Sequence, residues 1–167
     1  MSLYICSLAN NNRRTIPPRK WVTVPFPYTT PPTSYDAWEM HRPSQPGGVV
    51  STYPDRYSAL IHPQADGWGT LEGHVEFEEG DYTEIRTRFV RDPYGDGEKS
   101  NDTTNTEHHA PSPGMQFFTV LHKLFVHPGV PVAFMVYVGG DEGAVLTYSQ
   151  LKLEVDDDVA VPTGEGS

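Results

Sequence analysis

Thr70-Leu71-Glu72-Gly73-His74-Val75-Glu76-Phe77-Glu78 is the stretch that decides the fold. Leu71, Gly73, Val75 and Phe77 fall on one side of an extended chain, and Thr70, Glu72, His74, Glu76 and Glu78 fall on the other. A period of two over that length buries a single face only in a strand. Outward from it, from Trp21 to Val155, further apolar segments are broken by Pro and Gly. The 16 Pro and 15 Gly suit many turns and do not suit long helices. The core is read as all-β, a sandwich or a barrel.

Strands are expected near Trp21–Phe26, Val49–Tyr53, Tyr57–Ile61, Gly69–Glu78, Thr83–Arg91, Met115–His127, Val130–Val138 and Ala144–Val155. The uninterrupted apolar run Val130–Val138 suits a strand covered on both faces. In the last strand Leu151, Leu153 and Val155 alternate inward against Lys152 and Glu154. Two long connections, Pro27–Gly48 and Asp92–Gly114, are expected to be loops that carry function or are ordered by a partner.

The 167 residues allow one domain of moderate size. Three parts are expected: a basic extended arm at 1–20, the β domain at 21–155 and an acidic tail at 156–167. The formal charge of −10 is unevenly spread. The arm holds Arg13, Arg14, Arg19 and Lys20 and no acid, which leaves eight cations against 22 acids in the remainder. A body so acidic repels nucleic acid, so none is expected as a partner. No window reaches the apolar length of a membrane helix, and no positive charge precedes the weakly apolar N-terminus, so neither a membrane partner nor a secretory signal is expected. Cys6 is the only cysteine, which excludes an internal disulfide.

No cofactor, metal or catalytic constellation is expected. His108-His109 beside Glu107 would face opposite ways on a strand, and a polar loop is the preferred reading. Asp92-Pro93-Tyr94-Gly95-Asp96-Gly97 lacks the alternating acids and the final glutamate of a calcium loop, so turn chemistry accounts for it, with calcium the alternative because Glu98 and Asp102 are nearby. There is no Gly-x-Ser-x-Gly elbow, and Glu76, Glu78, Glu79 and Asp81 read as charged surface at a strand end. Tyr28, Tyr35 and Trp38, in the first long connection, form the candidate surface-binding set, since aromatics suit protein interfaces and sugar stacking alike.

The order of motifs resembles a known family. Trp21-Val22-Thr23-Val24-Pro25-Phe26 is followed by Ala59-Leu60-Ile61-His62-Pro63, then Asp66-Gly67-Trp68-Gly69 leading into Leu71-Glu72-Gly73. Paired Arg86 and Arg88 come next, then the turn His127-Pro128-Gly129-Val130-Pro131-Val132 and the closing strand. This is similar to the C1q/TNF-like jelly roll, particularly as found in virion proteins of tailed phages. Trp68 directly follows Gly67, where the family has Gly, one residue, then Tyr, and the Asp92–Gly114 loop is long. The resemblance implies a jelly-roll β-sandwich that packs as a trimer through aromatic faces. It also implies a non-enzymatic role in a virus particle, as a capsid-decorating or minor tail subunit. On that reading the arm binds major capsid or tail subunits through Leu3, Tyr4, Ile5, Leu8, Arg13, Arg14, Arg19 and Lys20. Deleting residues 1–20 would leave the domain folded and abolish attachment. The alternative is a module binding host-surface glycan or receptor at a tail tip.

Overall fold

The computed structural model describes residues 2–29, 34–95, 102–104, 106–110 and 116–158. Its strands, in chain order, are β1 (Leu3–Asn10), β2 (Arg14–Ile16), β3 (Trp21–Thr23), β4 (Ser44–Gln45), β5 (Val49–Val50), β6 (Gly67–Phe77), β7 (Ile85–Arg91), β8 (Asp102–Thr103), β9 (Glu107–His109), β10 (Gln116–Val126), β11 (Val132–Val138) and β12 (Ala144–Asp156). One sheet runs β1-β12-β6-β10, with β2 also on β12. The other runs β3-β11-β7-β8, with β9 also on β7. All strand pairs are antiparallel. The two sheets face one another in a jelly-roll sandwich.

The deciding stretch behaves as its period requires. Along β6 every second residue from Gly67 to Phe77 is buried, and Leu71, Val75 and Phe77 join the core. Leu151, Leu153 and Val155 of β12 do the same. Phe134 of β11, in the opposite sheet, reaches across to Gly73 of β6 and lies beside its own sheet neighbour Phe89, ring centres 5.1 Å apart. Arg91, in the second sheet, donates from Nη1 to the carbonyl of Phe125 in the first at 2.9 Å, which ties the layers at one end.

The N-terminal segment corrects the expected arm. β1 lies in the first sheet, with eight residue pairs to β12 from Leu3↔Asp156 to Asn10↔Ser149. Cys6, Leu8 and Ala9 are buried, and Tyr4 packs against the core. The physical reason is alternation: Tyr4, Cys6 and Leu8 share one face, and the long strand β12 would otherwise be left with an open edge. Burial pushes the Cys6 thiol far up, helped by the nearby charge and hydrogen bond of Asp36. Asn10 ends the strand by donating Nδ2 to the carbonyl of Pro25, at 3.0 Å.

Other expectations shift locally. Tyr57–Ile61 is not a strand; Arg56–Ala59 forms a 3₁₀ turn whose N-cap, Asp55, accepts from the Ser58 amide at 3.0 Å. That short polar side chain offers the backbone a partner that competes with a sheet. Only Val49–Val50 of the expected Val49–Tyr53 strand pairs, with Ser44–Gln45. His108-His109 lies in a short strand, β9, where a loop was expected, because its backbone pairs with Ile85–Thr87. Val130–Val138 is covered less evenly than its sequence suggests: Met135 and Tyr137 face outward, half-buried under Trp21, Arg86 and Arg88.

The buried polar cluster beneath the first long connection makes stability pH-dependent. His62 is held at about 4, below its ordinary 6.5, by desolvation first and then by the charges of His41 and Arg42. Between those two pH values the unfolded chain takes up a proton that the folded chain refuses. Stability therefore falls as pH drops through that window. Denaturant melts of the parent and of His62→Gln, compared at pH 7 and pH 4, should show the parent losing up to about 3 kcal/mol more. Equal losses would refute the assignment.

Candidate interaction face

The outer face of the first sheet is where the sandwich departs from a polar exterior. Residues on β6 that point away from the core are Trp68, Thr70, Glu72, His74 and Glu76. Their cross-strand neighbours on β10 are Phe125, Lys123, Leu121, Thr119 and Phe117. On β12 the neighbours are Asp156, Glu154, Lys152, Gln150 and Tyr148, and β1 adds Leu3 and Ile5 at the far edge. Leu121 is 63% exposed, Phe117 50%, Trp68 49% and Leu3 44%. On a protein whose other large side chains mostly find cover, these four share one sheet face.

The face is organised in rows. At one end Trp68 meets Phe125 edge to face, ring centres 5.6 Å apart. In the middle Leu121 lies in one cross-strand row with Glu72 and Lys152. At the other end Phe117 flanks a polar knot. There His74 places Nδ1 2.6 Å from Thr119 Oγ1 and Nε2 3.2 Å from Glu76 Oε1, while Gln150 Nε2 donates to the Tyr148 hydroxyl at 2.6 Å. The polar groups of this knot thus bond each other, so covering that end of the face strands few unpaired donors. The arrangement can adhere. Among the described residues no group of three or more metal-ligating side chains gathers here or elsewhere.

The residues expected to bind a partner through an arm are dispersed. Leu8 is core and Tyr4 packs on it, while Ile5 and Leu3 point to the outer face. Arg13 pairs with Glu78, and Arg19, at a positive φ of 57°, pairs with Asp141 at 3.2 Å. These two cations are thus engaged by the chain's own acids. Arg14 and Lys20 line a groove beside β3.

The expected aromatic set splits. Tyr28 is half-buried, stacks on His41 with ring centres 4.5 Å apart and donates to Ser51 Oγ at 2.7 Å, so it serves the interior and not a binding surface. Tyr35 and Trp38 are 52% and 42% exposed beside β1, where Tyr35 exchanges backbone hydrogen bonds with Ser7 and Trp38 packs on Tyr4. Asp92, at a positive φ of 50°, is buried and accepts from the Gly95 amide, a turn as expected; Asp96, Glu98, Asn101 and the Asp102 side chain lie outside the described residues.

Sequence reasoning missed Phe117, Leu121 and Trp68 as surface residues. The signal was present in β10, where Phe117, Leu121 and Phe125 recur on the face opposite Val120 and Val126, so the strand is apolar on both sides.

No protein-family model matches the chain, and no curated protein matches it in sequence. Solved structures do. The Eiger TNF of S. frugiperda superposes with a TM-score of 0.60 at 13% identity, over 98% of this chain and 98% of that one. Murine APRIL gives 0.59 at 10% identity over 93% of this chain and 100% of its own, and the globular domain of zebrafish complement 1qA gives 0.58 at 10% over 90% and 94%. At such identities the likeness speaks for architecture alone, and it is unambiguous: the chain folds as a jelly roll of the C1q/TNF type.

Proposed function

We propose that this chain is a non-enzymatic structural subunit that self-associates, as a trimer, through the outer face of its first sheet. The observation that carries the reading is the exposed set Leu3, Trp68, Phe117 and Leu121 on that one face. Apolar groups placed together in water gain about 25 cal/mol for each Å2 they bury against a partner. The C1q/TNF resemblance of the sequence supports three subunits, and its virion versions support a place on the capsid surface or tail of a tailed phage. Attachment there falls to the folded surface, since β1 is committed to the sheet. Light scattering or native mass spectrometry of the purified protein tests self-association. The parent should give three times the chain mass. Leu121→Asp should weaken each interface by about 2 kcal/mol and shift the population toward monomer, with an unchanged far-UV spectrum. A monomeric parent refutes the reading. The virion role is tested separately by co-sedimentation with phage particles.

Tyr35 and Trp38 favour a second use, as a small aromatic platform for host-surface sugar, because both rings are exposed beside the same edge. A glycan array with the parent and Trp38→Ala decides it: binding that the substitution removes supports the platform, and an empty array sinks it.

A further inference from the structure

β3 is the outermost strand on its side of the second sheet. Beside it runs a groove of about 500 Å3, lined by Arg14, Lys20, Trp21, Thr23, Arg56 and Tyr94 among others. In a chain of net charge −10 this groove gathers three cations. The acid that also lines it, Asp55, is already committed. Its carboxylate accepts from Ser51 Oγ at 2.6 Å, the Thr52 amide at 2.8 Å and the Ser58 amide at 3.0 Å. Arg14 and Lys20 have no ionic partner among the described residues.

Among the described residues the backbone of β3 is equally available. The Val24 amide donates to the Phe134 carbonyl at 2.9 Å, and the register pairs Val22 with Val136. In an antiparallel pair alternate residues bond the same neighbour. Val22 and Val24 therefore face β11, while the N–H and C=O groups of Trp21 and Thr23 point away from it, toward the groove. Pro17, Pro25 and Pro54 also line the groove and have no N–H to offer, so they do not substitute for the missing strand. Trp21 is held from behind by the Arg88 guanidinium, 3.9 Å from its ring centre, and Tyr94 is held by its hydroxyl, 2.7 Å from Thr23 Oγ1 and donating to the Arg56 carbonyl at 2.8 Å. Both aromatic walls are thus fixed before anything binds.

We infer that this groove takes an extended acidic peptide segment of a partner protein, which adds as a further strand on β3 and sets its carboxylates against Arg14, Lys20 and Arg56. Edge backbone groups read a peptide's main chain, and the cations select the acidic one. A sulfated glycan or a nucleic acid would use the charge and ignore the edge.

The test uses the intact chain and a fluorescein-labelled decapeptide of alternating Glu and Thr, followed by anisotropy. The acidic peptide should bind and its Lys–Thr counterpart should not. Arg14→Gln with Lys20→Gln should weaken binding about tenfold while leaving the thermal melt unchanged. Should the pair disturb folding, Lys20→Gln alone, at an exposed position, should still weaken it measurably. Of two peptides N-methylated at alternate amides, in the two possible frames, at least one should lose binding. Absence of binding, indifference to the substitutions, or full binding by both methylated peptides would each overturn the inference. So would a heparin fragment or single-stranded DNA that binds the same groove more tightly at equal salt.

Discussion

Removing residues 1–10 is expected to abolish cooperative folding. This reverses what a basic arm would predict, and the reason is structural. Eight residue pairs join β1 to β12, and Cys6, Leu8 and Ala9 are each under 5% exposed. Without β1 the long edge of β12 loses its partner, and the inner side chains beneath it, Leu151, Leu153 and Val155, meet water. A fully buried aliphatic side chain contributes about 1.5–3 kcal/mol, and a whole domain is stable by only about 5–15 kcal/mol. Losing the burial of Leu8, Cys6 and Tyr4 together with the backbone pairing removes most of that margin. The truncated chain should show no sigmoidal thermal transition by near-UV circular dichroism. A milder probe, Leu8→Ala, should cost about 3 kcal/mol in denaturant melts. A truncated chain that melts cooperatively near the parent temperature would show that β1 is dispensable, and that the arm reading was right after all.

Gly73→Val should be nearly as damaging. Gly73 sits at an inward position of β6, directly opposite Phe134 of the other sheet. A Cβ built there would lie 2.7 Å from two atoms of the Phe134 ring and 2.9 Å from a third. That ring is fully buried and leans on Phe89, so it has no open space to enter. Elsewhere in a strand a glycine is a weakness, worth about 0.5–1 kcal/mol against alanine. Here the sign inverts, because the absent side chain is what lets the sheets close around Phe134. Overpacking a tight core costs about 1–3 kcal/mol, and a β-branched residue at this distance belongs at or beyond the upper end. Gly73→Ala should be destabilising by a smaller amount. Combining Gly73→Val with Phe134→Leu should recover part of the loss, and a double-mutant cycle reads that coupling directly. If Gly73→Ala were neutral or stabilising, the two sheets could not be as close as described.

The outer face shows how far pattern reading reaches. β6 was legible because its two faces differ in chemistry, apolar against charged. β10 was expected as a strand but its exposed face was not, because Phe117, Leu121 and Phe125 make its outer face resemble its inner one. Only its place beside β6 in the first sheet shows that one of those sides meets solvent. The groove beside β3 was hidden for a different reason. Arg14, Lys20 and Arg56 are spread over more than forty positions of sequence, and the chain brings them to one edge only when the sandwich closes.

By itself the sequence determined the strands with a clean period of two and the all-β class, since side-chain alternation and turn residues are local properties written along the chain; the jelly-roll order came from the resemblance of its motifs to the C1q/TNF-like family. Tertiary structure alone decided that the N-terminal segment is a core strand, that the first aromatic cluster divides between interior and surface, and that the apolar residues of β10 share a face with Trp68. Those outcomes depend on which strand lies beside which, and pairing joins residues far apart in the chain, as Leu3 is joined to Asp156. Local chemistry sets what a segment can be; its neighbours across the sheet set which side meets water.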